Sequence, residues 1–298
     1  MPCYRPISAY RCSNGDVVFA QLKRHDIVRS IDIPCGQCQG CRLARSSEWA
    51  SRIMHEASLH KSNSFLTLTY SDSNLPLNNS LHYPDFQSFM KRFRRFIHPT
   101  PVRFYMCGEY GSTTLRPHYH ACIFGYQFPD LGLYKSTDSG HFIYTSPSLN
   151  KLWPLGHASI GELTPQSAAY TARYVMKKVT GQAAQSHYTH IDADGVIHEI
   201  QPEFCRMSLK PGVGARWFDK FHRDMYPHDY LVNSKGAKVP IPAYYDKLLK
   251  RKDPDTLEQI KQSRELTGRE FSSNNTTERL AVRETVQAAK IRNLKRSL

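Results

Sequence analysis

Residues Val102–Gly125 read VRFYMCGEYGSTTLRPHYHACIFG, and the rest of the chain is organised around this stretch. It contains two apolar runs, Val102–Cys107 and Ala121–Phe124, with glycines and a proline between them. Apolar runs of strand length that flank turn-forming residues are typical of a β-hairpin. We therefore predict a hairpin with a long connecting loop.

Two histidines separated by one residue, His118 and His120, lie near the end of this hairpin. Side chains two residues apart on a strand point to the same face, so both imidazoles can reach one ion. Glu109 closes the first strand and offers a carboxylate oxygen from across the hairpin. Two imidazoles and a carboxylate with open positions suit a catalytic divalent cation. The alternative is a chance pair of half-exposed strand histidines, since the chain has 14 histidines.

The charge of the chain indicates the class of its partner. The chain has 298 residues and a formal net charge of +14. Such an excess of Lys and Arg favours an anionic polymer, with nucleic acid ahead of an anionic membrane. No apolar run approaches the roughly 18 residues that a spanning helix needs, and the first residues lack the apolar core of a signal peptide. We therefore expect a cytoplasmic protein that does not use a membrane, with its cysteines reduced.

The N-terminal region carries a second candidate metal site. Cys35, Cys38 and Cys41 form a CxxCxxC run with glycines that allow tight turns around an ion. A fourth thiolate from Cys3 or Cys12 would complete a tetrahedral structural zinc site. An iron–sulfur cluster and free thiols are the alternatives.

The elements that flank the hairpin are also visible in the pattern. Phe65–Tyr70 is apolar or β-branched and predicts a strand, and Ala158–Ile160 predicts a shorter one. The segment Tyr83–Ile97 predicts a helix with an aromatic inner face. Its other positions are basic: Lys91, Arg92, Arg94 and Arg95. This basic run is either an ordinary solvated face or a contact surface for phosphates.

The remaining regions give weaker signals. Tyr126 to Asn150 has the composition of a turn-rich connection, and residues 182–203 predict a polar hairpin or loop. Residues 210–214 form a glycine loop that leads into a helix. From residue 278 the chain predicts a basic helical tail, either solvated and partly disordered or contributing to nucleic-acid affinity.

A tyrosine pair changes the interpretation of the hairpin. Thr164-Pro165 is a helix start signal, with threonine at the cap and proline at the first position. In the helix predicted over residues 165–179, Tyr170 and Tyr174 are four residues apart and therefore share one face. Lys177 and Lys178 make the end of the helix cationic. Core packing is the ordinary explanation of such a tyrosine pair.

The same residues also form a complete set for cleaving a phosphodiester without water. That reaction needs a nucleophile, charge neutralisation on the phosphate and a polarising cation. A tyrosine would attack, a lysine would stabilise the developing charge, and the hairpin ligands would hold the cation. The product would be a phosphotyrosine ester that keeps the energy of the broken bond for rejoining.

Three motifs in order resemble the HUH endonucleases, most closely the replication initiators of the microviruses, which are small single-stranded DNA phages. Phe65–Tyr70 resembles the first motif strand of that family. Pro117-His-Tyr-His120 resembles its metal motif, with Glu109 where an acidic third ligand is expected and Tyr119 in place of the usual aliphatic. Tyr170-x-x-x-Tyr174-Val-x-Lys177 resembles its two-tyrosine motif. The CxxCxxC unit resembles that of gokushovirus-like members.

The resemblance implies an α+β fold with a central antiparallel sheet and packed helices, related to the RNA-recognition-motif and ferredoxin-like folds. It implies an enzyme that nicks and joins single-stranded DNA at a replication origin, with Mg²⁺ or Mn²⁺, in the cytoplasm of a bacterial host. A host helicase and polymerase are the expected partners. Arg116 and Arg173 are assigned to DNA binding together with Arg92, Arg94 and Arg95.

We predict three regions: a Cys-rich unit and helix at 1–60, a nuclease core at 61–235 and a basic helical region at 236–298. Two functional alternatives stay open at this stage. One is a nucleic-acid-binding protein without catalysis on an RNA-recognition-motif-like sheet. The other is a transposase or relaxase of the same superfamily.

Overall fold

The structure is a computed structural model of the chain, and it describes residues 3–22, 26–111, 113–137, 140–173, 178–179, 181, 183–191, 195–234 and 236–292. The described residues belong to two compact units. One unit takes its residues from 1–45 and 259–296, and the other from 46–258. The predicted boundaries near residues 60 and 235 stay a prediction.

The secondary structure alternates between strands and helices along most of the chain. The strands are β1 (Ile7–Cys12), β2 (Val17–Val18), β3 (Ile27–Ile33), β4 (Asn63–Tyr70), β5 (Arg103–Tyr110), β6 (Pro117–Phe124), β7 (Gly132–Ser136), β8 (Phe142–Thr145), β9 (Gly156–Gly161), β10 (Thr189–Ile191), β11 (Ile197–Glu199), β12 (Phe204–Met207), β13 (Leu231–Val232) and β14 (Lys238–Val239). The helices are α1 (Gln39–Ala57), α2 (Tyr83–Phe96), α3 (Pro147–Leu152), α4 (Pro165–Arg173), α5 (Ala183–His187), α6 (Ala215–Met225), α7 (Ala243–Lys252), α8 (Pro254–Glu270) and α9 (Thr277–Arg292).

A seven-stranded sheet in the order β12-β5-β6-β4-β9-β8-β7 forms the centre of the larger unit. Each pair of neighbouring strands in it is antiparallel. Helices pack on both faces of the sheet. The predicted α+β class with a central antiparallel sheet is therefore confirmed.

The central hairpin differs from the prediction in the length of its loop. Strands β5 and β6 stay paired as far as Tyr110 and Pro117, so residues 111–116 alone connect them. Gly108 is a strand residue rather than a turn residue. A Cβ at that position would lie 3.0 Å from the Phe204 ring and 3.2 Å from the Tyr119 ring. The glycine therefore permits close packing within the sheet, and the connecting loop is shorter than predicted because Gly108 belongs to the strand.

Alternation along the strands divides the core between the two faces of the sheet. Phe104, Met106 and Tyr119 point towards α2 and α3. The aromatic face of α2 that the sequence predicted packs against these sheet residues. Tyr105 and Cys122 point the other way, towards α1 and α4. The histidines and Glu109 belong to this second face, because each lies an even number of residues along its strand from one of these positions.

The segment from Tyr126 to Asn150 was wrongly predicted to be a turn-rich connection. It contains β7, β8 and the start of α3. Every residue of β7 is exposed, so the strand lacks the alternation of apolar and polar residues that identifies a half-buried strand. The pairing with β8 decides its conformation.

The smaller unit contains a three-stranded sheet in the order β2-β1-β3. Arg29 of β3 forms a two-pronged ion pair with Glu265 of α8, and its Nη2 lies 2.8 Å from Oε2. Arg5 pairs with Glu284 of α9 at 3.2 Å. Residues from both ends of the chain thus build this unit. Among the described helices, none is long and apolar enough to cross a membrane.

Candidate active site

The strand register brings the three hairpin residues together. Glu109 of β5 lies directly opposite His118 of β6, and His120 follows two residues later on the same face. The Oε1 atom of Glu109 is 2.7 Å from His118 Nε2 and 3.1 Å from His120 Nε2. Two adjacent ligands of an octahedral Mg²⁺, each about 2.1 Å from the ion, would be about 3.0 Å apart. The spacing of the three side chains therefore fits one small divalent cation.

The orientation of His118 supports the same interpretation. Its Nδ1 lies 3.2 Å from the carbonyl oxygen of Arg116. A carbonyl can only accept, so Nδ1 carries a hydrogen, and Nε2 is the ring nitrogen that faces Glu109. This nitrogen lies 2.7 Å from a carboxylate oxygen. Without a metal an N–H hydrogen bond joins the two atoms, and a bound cation would take the place of that proton.

Thr67 orients the second histidine. Its hydroxyl on β4 lies 3.0 Å from Nδ1 of His120, and β4 pairs Thr67 directly with His120. This contact turns Nε2 of His120 towards Glu109. A hydrogen bond that fixes the far nitrogen of a histidine is the usual support for a metal ligand. Sequence reasoning did not identify Thr67, because the register between β4 and β6 is a tertiary feature.

The carboxylate of Glu109 is held ionised in a buried position. The residue is 1% exposed. Burial alone would raise its pKa, but the hydrogen bonds and charge interactions with His118 and His120 outweigh burial and hold the pKa at about 2. A carboxylate that stays ionised beside two imidazoles is ready to bind a cation at neutral pH.

Tyr170 on α4 lies beside this cluster. Its ring meets the ring of His120 edge to face, with 5.1 Å between the centroids, and meets that of Phe65 at 6.5 Å. The helix begins as predicted, because the Thr164 hydroxyl accepts from the backbone N–H of Ser167 at 3.2 Å. Buried Ala168 and Ala172 seat the helix on the sheet and leave Tyr170 half-buried.

The structure describes only part of the rest of the tyrosine motif. Tyr174 and Lys177 lie outside the described residues. Lys178 is exposed beyond the described end of α4. The structure thus brings Tyr170 to the cluster, and the roles of Tyr174, Lys177 and Lys178 stay predictions.

The arginines assigned to DNA binding are not gathered at this site. Arg94 and Arg95 are exposed on α2, which covers the opposite face of the sheet, and Arg92 donates to the carbonyl of Leu152 at 2.9 Å. Arg116 donates to the Tyr70 carbonyl at 2.9 Å. Arg173 is exposed at the described end of α4. Arg92 and Arg116 thus make structural contacts, and the assignment of all five arginines to DNA binding stays a prediction.

The four cysteines of the N-terminal motif come together in the smaller unit. The Sγ atom of Cys3 lies 3.5 Å from that of Cys35 and 3.8 Å from that of Cys38, and Cys41 completes the group. Backbone N–H groups at Cys35 and Cys38 each lie 3.3 Å from a sulfur. Cys12 is buried on β1 and is not in the group. Of the two candidates for the fourth thiolate, the structure therefore places Cys3.

The electrostatics of the four thiols are those of a cation site. Burial would raise the pKa of Cys38, but hydrogen bonds from the Cys41 and Tyr4 backbone lower it to about 6. Burial and hydrogen bonds to Cys3 and Cys38 raise the pKa of Cys41 to about 12. Without a cation, one thiolate thus suppresses ionisation of its neighbour. A bound metal removes that conflict, because each ligand thiol then ionises.

Comparison with known proteins agrees with this geometry. The family model described as "Replication-associated protein ORF2/G2P" matches residues 63–179, which include the hairpin and the tyrosine helix. No solved structure gives a significant match.

Three curated relatives match over most of the chain. The replication-associated protein VP4 of Bdellovibrio phage phiMH2K is 34% identical over 86% of this chain and 79% of its own length. The replication-associated protein ORF2 of Spiroplasma virus 4 is 33% identical over 89% of this chain and 86% of its own length. The replication-associated protein ORF4 of Chlamydia phage 1 is 35% identical over 74% of this chain and 54% of its own length. The chain belongs to the family of phage replication-associated proteins.

Proposed function

We propose that this protein initiates phage DNA replication by nicking and rejoining one DNA strand at the origin, with a tyrosine as the nucleophile. The observation that carries the proposal is the cluster of Glu109, His118 and His120 with the Tyr170 ring against it. The names of the relatives support a role in replication. The cation would be Mg²⁺ or Mn²⁺, as the resemblance to the HUH endonucleases implies, and the carboxylate and two imidazoles of the cluster would bind a divalent ion.

Each residue of the cluster has a separate task in this scheme. Glu109, His118 and His120 would hold the ion, and Thr67 would keep His120 oriented. The ion would offset negative charge on the phosphate oxygens. The Tyr170 hydroxyl gives up its proton as its oxygen bonds to phosphorus. The bond from phosphorus to the 3′ oxygen breaks, and that oxygen takes up a proton to become the free 3′-OH.

Two tyrosines match the two cuts of rolling-circle replication. The protein stays attached to the 5′ end after the first cut, so the second cut at the regenerated origin needs a fresh nucleophile. Tyr170 and Tyr174, four residues apart in the sequence, would alternate in these cuts. Lys177 and Lys178 would stabilise charge on the phosphate. In the bacterial cytoplasm a host helicase would unwind the DNA, and a host polymerase would extend the free 3′-OH.

We also propose a structural Zn²⁺ at Cys3, Cys35, Cys38 and Cys41. Four thiolates within one group form a closed tetrahedral set, which is the form of a structural rather than a catalytic zinc site. The smaller unit would depend on this ion, because small units bury little apolar surface.

A replication protein that only binds nucleic acid is the main alternative, and removing the metal ligands separates the two. In the variant His118→Ala/His120→Ala, we expect Mn²⁺-dependent cleavage of origin DNA to be abolished. Affinity for the same DNA in EDTA should stay close to wild type, because phosphate contacts by Lys and Arg dominate affinity. The measurement is cleavage of labelled single-stranded origin DNA beside a binding titration. Full cleavage by the double variant would reject the proposal.

A further inference from the structure

A cleft of about 1150 Å³ opens on the sheet face that carries His120 and Tyr170. Small-molecule sites usually enclose about 300–1,000 Å³. The cleft runs along β4, whose eight residues at about 3.4 Å each extend for about 27 Å. An extended polymer fits such a trough better than a compact ligand does.

The floor of the cleft, in the part that the structure describes, combines polar side chains with an aromatic ring. Helix α4 packs over β5 and β6 and leaves this face of β9 uncovered. On β9, Ala158 and Ile160 belong to the buried core of the opposite face. His157 and Ser159 alternate with them and line the cleft beside Phe65 and Thr67 of β4. Small hydroxyl side chains suit contacts to sugar and phosphate, and an aromatic ring can stack on a base.

Charged and aromatic side chains border this floor. Lys61 precedes β4, and Lys135 lies on β7 across the cleft, and both are exposed. Tyr134 beside Lys135 is 66% exposed, and its ring centre is 5.9 Å from the lysine Nζ. Glu162 is the acidic side chain among the described residues that line the cleft. An exposed tyrosine next to lysines is the combination that binds single-stranded nucleic acid by base stacking and phosphate contacts.

We propose that this cleft holds the single-stranded DNA next to the phosphate that Tyr170 attacks. Lys61 and Lys135 contact phosphates, and Tyr134 stacks on a base. The inference rests on the proposed function for the identity of the attacked phosphate. The proposal gives the β7–β8 hairpin, which lies outside the three sequence motifs of the family, a role in positioning the DNA.

Binding in EDTA tests the cleft separately from the chemistry. The probe is a fluorescein-labelled oligothymidylate long enough to cross the cleft, and the readout is fluorescence anisotropy over a series of KCl concentrations. In Lys61→Ala/Lys135→Ala, the slope of log affinity against log salt should fall by about 0.7 for each lost phosphate contact. In Tyr134→Ala, affinity should fall roughly tenfold at every salt concentration with the slope unchanged.

Matched control variants lie away from the described residues that line the cleft. Lys220 is exposed on α6, and Phe96 on α2 is 51% exposed, and neither lines the cleft. Lys220→Ala and Phe96→Ala should bind the probe as the wild type does, with the wild-type slope. The thermal unfolding of all variants, followed by circular dichroism, should match the wild type because each altered side chain is exposed.

The outcomes separate this inference from the proposed function. The proposed role of the cleft would be overturned if the double lysine variant kept the wild-type slope and Tyr134→Ala kept the wild-type affinity. This holds even if the enzyme cleaves DNA. Losses confined to the control variants would overturn it in favour of a DNA contact outside the cleft. Losses in the cleft variants would support it even if no covalent product forms, in which case the proposed chemistry alone fails.

Discussion

At the scale of single residues, the site depends on which nitrogen of each histidine is already engaged. Arg116 offers a carbonyl to Nδ1 of His118, and Thr67 offers a hydroxyl to Nδ1 of His120. Both rings therefore turn Nε2 towards Glu109. The ligand residues could be predicted from a two-residue spacing on a strand. The residues that orient them could not, because they come from a loop carbonyl and a neighbouring strand.

Replacing the hydroxyl of Thr67 tests this orientation. In Thr67→Val, we expect Mn²⁺ affinity to fall by about 10–100-fold, the usual effect of removing the partner of a metal-bound histidine. Cleavage at saturating Mn²⁺ should change much less. The measurement is a Mn²⁺ titration by calorimetry, repeated as a titration of cleavage activity.

The neighbouring threonine supplies the control for that experiment. Thr69 lies two residues further along β4 on the same face, but its hydroxyl donates to the His157 carbonyl at 3.1 Å. Thr69→Val should therefore keep wild-type Mn²⁺ affinity. Equal losses in the two variants would mean that Thr67 acts through general packing of the strand.

At the scale of elements, α1 binds the glycine loop that precedes α6. The Glu56 carboxylate accepts from the backbone N–H of Gly214 at 2.7 Å, and Arg52 donates to the Val213 carbonyl at 3.0 and 3.1 Å. Gly214 has a φ of 82°, and a Cβ there would lie 2.5 Å from the Tyr245 hydroxyl. The glycine loop that the sequence left without a function is thus explained by the positive φ of Gly214 and the close approach of the Tyr245 side chain.

A histidine in the same helix gives the protein a pH-dependent stability. His55 stacks on Trp217 with 3.6 Å between ring centroids, and its Nδ1 is 2.9 Å from the Tyr245 hydroxyl. Burial lowers its pKa from the ordinary 6.5 to about 4. Between these values the unfolded chain binds the proton and the folded chain does not, so stability falls as pH falls. The loss should be complete below about pH 4 and amount to about 3 kcal/mol, because one pKa unit corresponds to about 1.4 kcal/mol.

Urea unfolding across this pH range measures the effect. The free energy of unfolding of the wild type should fall as pH decreases from about 6.5 to about 4. In His55→Asn it should fall less over the same range, and the difference between the two proteins should equal the contribution of His55. Comparing the two proteins cancels the other titrating groups. Parallel curves for the two proteins would show that His55 is not the group responsible.

Prediction from sequence succeeded where periodicity or a capping signal marks an element, and it missed several strands. The α2 helix and strand β4 follow from aromatic or β-branched patterns that match their burial, and the start of α4 follows from its cap. Strands β1 and β7 carry exposed or mixed residues, and β3 alternates only between half-buried and exposed residues. Their pairing partners fix their conformation, and pairing is not readable from one strand alone.

At the scale of the whole molecule, part of the basic charge lies away from the candidate site. The net charge of +14 includes exposed arginines on α2, on the sheet face opposite the metal ligands. Charge alone therefore predicted the class of partner and not the position of the site. The position follows from two features of the fold. The register of the hairpin brings Glu109 beside the two histidines, and α4 brings Tyr170 beside His120.

The four-cysteine group makes a prediction about metal content. Protein purified under reducing conditions should contain one zinc per chain, and a chelator should lower the unfolding temperature, because a structural ion contributes folding free energy directly. Cys38→Ser should lose the zinc. Cys12→Ser should keep it, since Cys12 lies outside the group. Iron with inorganic sulfide, or zinc retained by Cys38→Ser, would contradict the assignment.

The covalent intermediate tests the central claim most directly. The purified protein is incubated with phage circular single-stranded DNA and Mg²⁺, and protein-linked DNA is separated on a denaturing gel. We expect a covalent adduct with the wild type. Tyr170→Phe and Tyr174→Phe should each retain some nicking or joining without completing unit-length circles, and the double variant should give no adduct. An adduct in the double variant, or none with the wild type, would contradict the tyrosine mechanism.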